Sequence, residues 1–137
     1  MDTWQSICER LSVIFTANKQ LNFGIELTPE DVAKYLLTKT LFVRFNSTTP
    51  ADIEAALFVT NDGECGFIAN KITPSAYRFL HNEFINFVVS LPVELQDKLW
   101  CRIQHNNKKM VSLVNRVGFE VSQVTENAIY FTYKGGK

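Results

Sequence analysis

Histidine, cysteine and glycine are all scarce in this chain. Two histidines and three cysteines occur in 137 residues. They form no CxxC pair and no Cys/His cluster, so the spacing of a zinc site is missing and no metal is expected. Cys8, Cys65 and Cys101 are odd in number, far apart, and each set in a hydrophobic segment. They read as small buried thiols of a reducing compartment. The six glycines build no Walker loop, and G-x-S-x-G and H-E-x-x-H are also missing, which removes the common nucleotide, serine-hydrolase and zinc-protease signatures. No apolar run approaches the roughly 20 residues of a membrane span. Asp2, Glu9 and Arg10 interrupt the N-terminal stretch, so no secretory signal is expected there. Net charge is also lacking: 14 basic residues balance 14 acidic ones. Nothing global therefore favours nucleic acid or a membrane surface, and the expected location is the cytoplasm.

What is present is a hydrophobic fraction of 46%, with eleven phenylalanines. That suits one globular domain with an aromatic core. No repeat, linker or low-complexity segment divides it. The expected organisation is an N-terminal helix and connector over 1–27, followed by a core over 28–137.

Trp4, Ile7, Cys8, Leu11, Ile14 and Phe15 recur at helical spacing and predict a helix over 3–18. NKQLNFGIEL breaks it. Thr28-Pro29-Glu30-Asp31 then starts a second helix to about Thr38, with Thr28 as cap, Pro29 in the first turn and acids at the positive end of the dipole. TLFVRFN (40–46) reads as a strand. AALFVTNDGECGFIANK reads as two strands joined at Asn61-Asp62-Gly63; ADIEAAL before it could instead be helical. Thr73-Pro74-Ser75 starts a helix that runs to about Leu91. KLWCRIQ (98–104) is a short strand. Met110, Leu113, Val114 and Val117 line a last helix, with Lys108, Lys109, Asn115 and Arg116 on its other face. FEVSQVTEN and AIYFTYKG close the chain as an antiparallel pair turning near Glu126-Asn127. The order predicts a mixed α/β fold, with a mostly antiparallel central sheet flanked by helices. The helix between Lys71 and Leu99 joins two strands that can lie parallel.

The stretch HNNKKMVSLVNRVGFEV (105–121) sharpens this. Asn107 (or Asn106) can cap the helix, and Gly118 can end it in the left-handed conformation. Phe119 can then lead a strand back to the core. Asn107, Gly118 and Phe119 have the Asn, Gly-Phe spacing of eleven and twelve residues seen in the Gcn5-related N-acetyltransferase (GNAT) superfamily. The element order resembles that family too, over roughly 28–135. A narrower resemblance is to the short GNAT-like proteins of tailed (T7-like) bacteriophages. These are similar in size, in an LW strand before the Asn, and in an aromatic last strand with a Lys/Gly tail, here YFTYKGGK.

The resemblance implies an acyl-CoA-dependent N-acyltransferase, with acetyl-CoA or another acyl-CoA as cofactor and an amine as acceptor. The cofactor would lie between the family's fourth and fifth strands. It would be held by backbone groups of Ala69, Asn70 and Lys71 and by the helix start at Ser75, with Asn107 at the next helix. His105 is the candidate base, acting directly or through water. Glu64, at the hairpin, reads as a turn carboxylate. His81 reads as a boundary residue, and Tyr130 and Tyr133 as strand packing. Two positions depart from the family. NKITPSAYRFL contains no glycine where the family has its pyrophosphate loop, and Pro74 removes an amide donor. Val114 stands seven residues after Asn107, where many members carry a tyrosine acid. The alternative expectation is therefore a non-catalytic descendant of the fold: a phage morphogenesis, virion-associated or host-interaction protein with a protein partner.

Overall fold

The structure, a computed structural model, describes residues 3–17, 28–105 and 107–135. Residues 1–2, the connector over 18–27, the alternative cap Asn106 and the tail over 136–137 lie outside the described residues.

Helix α1 spans Thr3–Ala17 and α2 spans Pro29–Lys39. The start of α2 is fixed by local chemistry. The Thr28 hydroxyl accepts from the Asp31 amide at 3.1 Å, and the Asp31 carboxylate accepts from the Thr28 amide at 3.2 Å. This reciprocal box satisfies two donors that a helix end otherwise leaves open. Strands β1 (Thr40–Phe45), β2 (Ala55–Thr60) and β3 (Cys65–Ala69) form one antiparallel sheet in that order. ADIEAAL resolves into a short 3-10 turn over Pro50–Asp52 and then β2.

Helix α3 spans Pro74–Val88 and is capped by Thr73, whose hydroxyl accepts from the Ala76 amide at 3.1 Å. It stops earlier than Leu91, and a short helix α4 (Val93–Gln96) follows behind Pro92. Proline before α4 lacks the N–H that a continuing helix would need. Strand β4 (Trp100–Ile103), helix α5 (Lys108–Val117), β5 (Phe119–Val124) and β6 (Ile129–Tyr133) complete the chain. Asn107 caps α5, its side chain accepting from Met110, and Gly118 ends it at φ 117°, ψ 12°. Strands β4, β6 and β5 form a second antiparallel sheet, with β6 in the middle.

The class is thus mixed α/β, with the sheet built as two three-stranded halves. Among the described residues they meet through one isolated parallel bridge, Glu64 to Trp100, where the Trp100 amide donates to the Gly63 carbonyl at 3.0 Å.

One apolar core spans both halves. Leu57 and Val59 of β2, Phe67 of β3, Leu80 and Phe84 of α3, Cys101 of β4, Leu113 and Val114 of α5, and Phe131 of β6 belong to it. Phe84 is its aromatic hub, with ring centroids of Phe67, Phe87, Phe119 and Tyr133 at 5.2–5.5 Å. Each such side chain, fully buried, contributes about 1.5–3 kcal/mol. A second core lies on the other face of the first half: Cys8, Leu11 and Ile14 of α1 and Val32 and Leu36 of α2 pack on Ala56, Phe58 and Ile68. Helices on both faces explain why every residue of β2 is buried. The N-terminal helix therefore packs on its own domain. Arg10 pins it further, donating to the Ile53 carbonyl at 2.9 Å and pairing with Glu54.

Candidate functional site

Alternation along the second half decides what faces outward. In β4, Cys101 and Ile103 are buried in the large core, while Arg102 is exposed and Trp100 is half-buried, as is Gln104 just past the strand. In β6, Phe131 is buried, and Tyr130 and Thr132 are half-buried on the other side. Arg102 sits directly opposite Tyr130 and Trp100 opposite Thr132. Trp100 and Tyr130 lie as neighbours, ring centroids 6.2 Å apart and planes within 20°. The second core contains no residue of β4, β5 or β6, so this aromatic and polar face is not part of either core.

At the far end of that face lies a cleft of about 600 Å³. Arg102, Gln104 and His105 form its β4 wall; Thr125 to Ala128 and Tyr130 form the hairpin wall. The hairpin is braced from within, the Thr125 hydroxyl accepting from the Ala128 amide at 3.1 Å. His105 joins the two walls: its Nε2 lies 2.6 Å from the Thr125 carbonyl oxygen. A carbonyl oxygen only accepts, so Nε2 carries the proton and Nδ1 is the ring's other polar atom.

A second cluster sits at the parallel bridge. Arg102 Nε donates to Glu64 Oε2 at 3.1 Å, and only 18% of the Glu64 side chain is exposed. Burial pushes the Glu64 carboxyl up and Asp62 adds to the rise, against the pull of Arg102. Tyr35 reaches this cluster from α2. Burial first, then the Glu64 and Asp62 charges, push its phenol up to about 12, although 38% of its surface stays exposed. Asp62 is held below the usual carboxylate range, chiefly by the Thr60 hydroxyl. Glu64 is thus no plain turn carboxylate: it stands at the apex where the two halves of the sheet part. The signal for this is the alternation in ECGFIA, which sets Glu64, Gly66 and Ile68 on one face and Cys65 and Phe67 on the other.

Beyond the apex, no pairing joins β3 to β4 among the described residues. The residues expected to hold a cofactor do not gather around the cleft. Ala69 is buried and paired with Ala55. The Asn70 amide donates to the Glu54 carbonyl at 2.8 Å, and its side chain donates to the Glu54 carboxylate at 2.9 Å. Lys71 and Ser75 are exposed at the turn into α3. The Ala76 and Tyr77 amides are both taken by Thr73. Asn107 serves as the α5 cap. Of the six candidates only His105 lines the cleft. Val114 is fully buried, as its apolar stripe predicts. His81 is half-buried and contacts Asn82.

No family model and no curated protein matches the chain. Its chemistry therefore rests on its own residues. Among the described residues no group of three His, Cys, Asp or Glu side chains could hold a metal, and no helix is long and apolar enough to cross a membrane.

Proposed function

We propose that the chain is a GNAT-like domain that works by binding a partner rather than by acyl transfer. The observation that carries this reading is the occupied state of the amides after β3. A pyrophosphate needs several backbone N–H groups converging on it. Here Asn70, Ala76 and Tyr77 have already given theirs to Glu54 and Thr73, and position 74 is proline. Val114, buried in the core, leaves no hydroxyl where the family's acid stands. The partner class that fits the narrower resemblance is a virion or host protein met during phage morphogenesis.

The parallel bridge at Glu64–Trp100, with no further β3–β4 pairing among the described residues, favours a second reading: an acyl-CoA-dependent N-acyltransferase with a divergent cofactor loop. In that reading acyl-CoA enters between β3 and β4, and Glu64 or His105 removes the amine proton. Titration calorimetry with acetyl-CoA, checked with desulfo-CoA, separates the two. The binding reading expects no heat and no thermal shift at millimolar ligand. A micromolar dissociation constant would overturn it in favour of the enzyme.

A further inference from the structure

We propose that the cleft between the end of β4 and the β5–β6 hairpin binds a neutral sugar, one pyranose ring of a glycan, with the Tyr130 ring as its platform. Charge argues first. The guanidinium on the β4 wall, Arg102, is already engaged, its Nε donating to Glu64 at 3.1 Å. His105 has given its Nε2 proton to the Thr125 carbonyl. Glu126 stands on the exposed turn. An anion would meet a neutralised guanidinium and a like charge, and a purely apolar ligand would strip water from a mostly polar lining.

The remaining groups on the walls suit hydroxyls. The side-chain amides of Gln104 and Asn127 and the Tyr130 hydroxyl each donate and accept. Among the described residues none of the three has a side-chain hydrogen-bond partner. The His105 Nδ1 and the Glu126 carboxylate accept. A sugar hydroxyl also donates and accepts, so two neighbouring hydroxyls match one amide, which offers both roles at adjacent atoms. The apolar part of the ligand has its place too. Tyr130 lines the cleft and lies beside Trp100, and both rings are half-buried on a face that belongs to neither core. The C–H face of a pyranose lies flat on such a ring while its hydroxyls reach the polar wall. The cleft, at about 600 Å³, falls within the roughly 300–1,000 Å³ of small-molecule sites. Its hairpin wall is held in place: the Thr125 amide donates to the Ala128 carbonyl at 2.8 Å, and the Thr125 hydroxyl accepts from the Ala128 amide. Little ordering is left for the ligand to impose.

The inference goes beyond the partner-binding reading and stands apart from it, since neither acyl-CoA nor the amides after β3 take part. The test is amide chemical-shift titration of the full chain, with Trp100 fluorescence in a Trp4→Phe background. The probes are glucose, galactose, mannose, N-acetylglucosamine, cellobiose, lactose and chitobiose. At least one should bind saturably in the millimolar range, shift the Gln104, Asn127 and Tyr130 amides and change the Trp100 emission. Tyr130→Ala should weaken that binding by about tenfold. Tyr130→Phe, which keeps the ring, should lose only several-fold. Asn127→Ala, on the exposed turn, should also lose several-fold and leave the melting temperature unchanged, which a merely structural role would not combine. Glucuronate should bind no tighter than glucose, nor galacturonate than galactose. No saturable binding of any of these sugars at tens of millimolar, binding that leaves the cleft amides unshifted, or tighter binding of the uronates would overturn the proposal. So would binding of N-acetylglycylglycine amide in the cleft without any sugar, which would assign it to peptide.

Discussion

Glu64 and Arg102 meet at 3.1 Å across the junction of the two half-sheets, beside the parallel bridge that joins them. The pair links β3 to β4 on the face opposite the large core. The Glu64 carboxyl is raised, mainly by burial, so the site favours the protonated form relative to the unfolded chain. The linkage sign follows. This group's stability contribution is fully present below the ordinary carboxylate range and is lost as pH rises through its raised folded value. The unfolding free energy of wild type minus that of Glu64→Gln, from urea titrations at several pH values, should therefore fall across this window, with a neutral-pH difference within about 1 kcal/mol, because a partly exposed pair is weak. A difference that is flat with pH would show that Glu64 is not desolvated in solution.

The three thiols should be inert in the folded protein. Cys8, Cys65 and Cys101 are buried to 3% exposure or less. Burial pushes the Cys65 and Cys101 thiols well above their ordinary range, and the thiolate is the reactive form. A thiol-reactive chromogen should label none of them at neutral pH within minutes and all three in denaturant. Rapid labelling of one thiol in native buffer would mean that its strand opens.

Much of this architecture was legible because it is local. Thr28, Thr73, Asn107 and Gly118 all occupy the caps that their chemistry predicts, since a cap is decided by a few adjacent residues. The strands of ALFVT and GFIA were legible for the same reason. The junction was not. Glu64 follows a strong Asp-Gly turn signal, and that signal hides its pairing with Arg102, a contact 38 residues away in sequence. The cleft was invisible for a related reason: it joins the end of one strand to a hairpin beyond the next helix. The end of α3 was misplaced because Leu91 continues the apolar stripe, yet Ser90 turns back onto the Phe87 carbonyl.

Phe84→Ala should be among the most damaging single changes. The ring is fully buried and touches four other aromatic rings drawn from β3, α3, β5 and β6. Truncation removes the contacts and leaves a cavity, at a cost of about 3–5 kcal/mol. Urea unfolding should show that loss as a lower midpoint with little change in slope. A loss under about 1 kcal/mol would mean that the core repacks around the gap.

Gly63→Ala should loosen the junction itself, and Gly135→Ala is its control. Both glycines have positive φ, at 95° and 82°. An added side chain is strained at either, by about 1–3 kcal/mol. The surroundings differ. A Cβ at Gly63 would collide with the Lys98 carbonyl oxygen, whereas one at Gly135 meets nothing within 4 Å. The Gly63 carbonyl also accepts from the Trp100 amide, so moving this turn moves the strand that carries Arg102. Gly63→Ala should therefore cost clearly more than Gly135→Ala in urea unfolding. It should also change the fluorescence of Trp100, with a Trp4→Phe background isolating that signal. Equal costs and an unchanged spectrum would mean that β3 and β4 hold their relation without this turn.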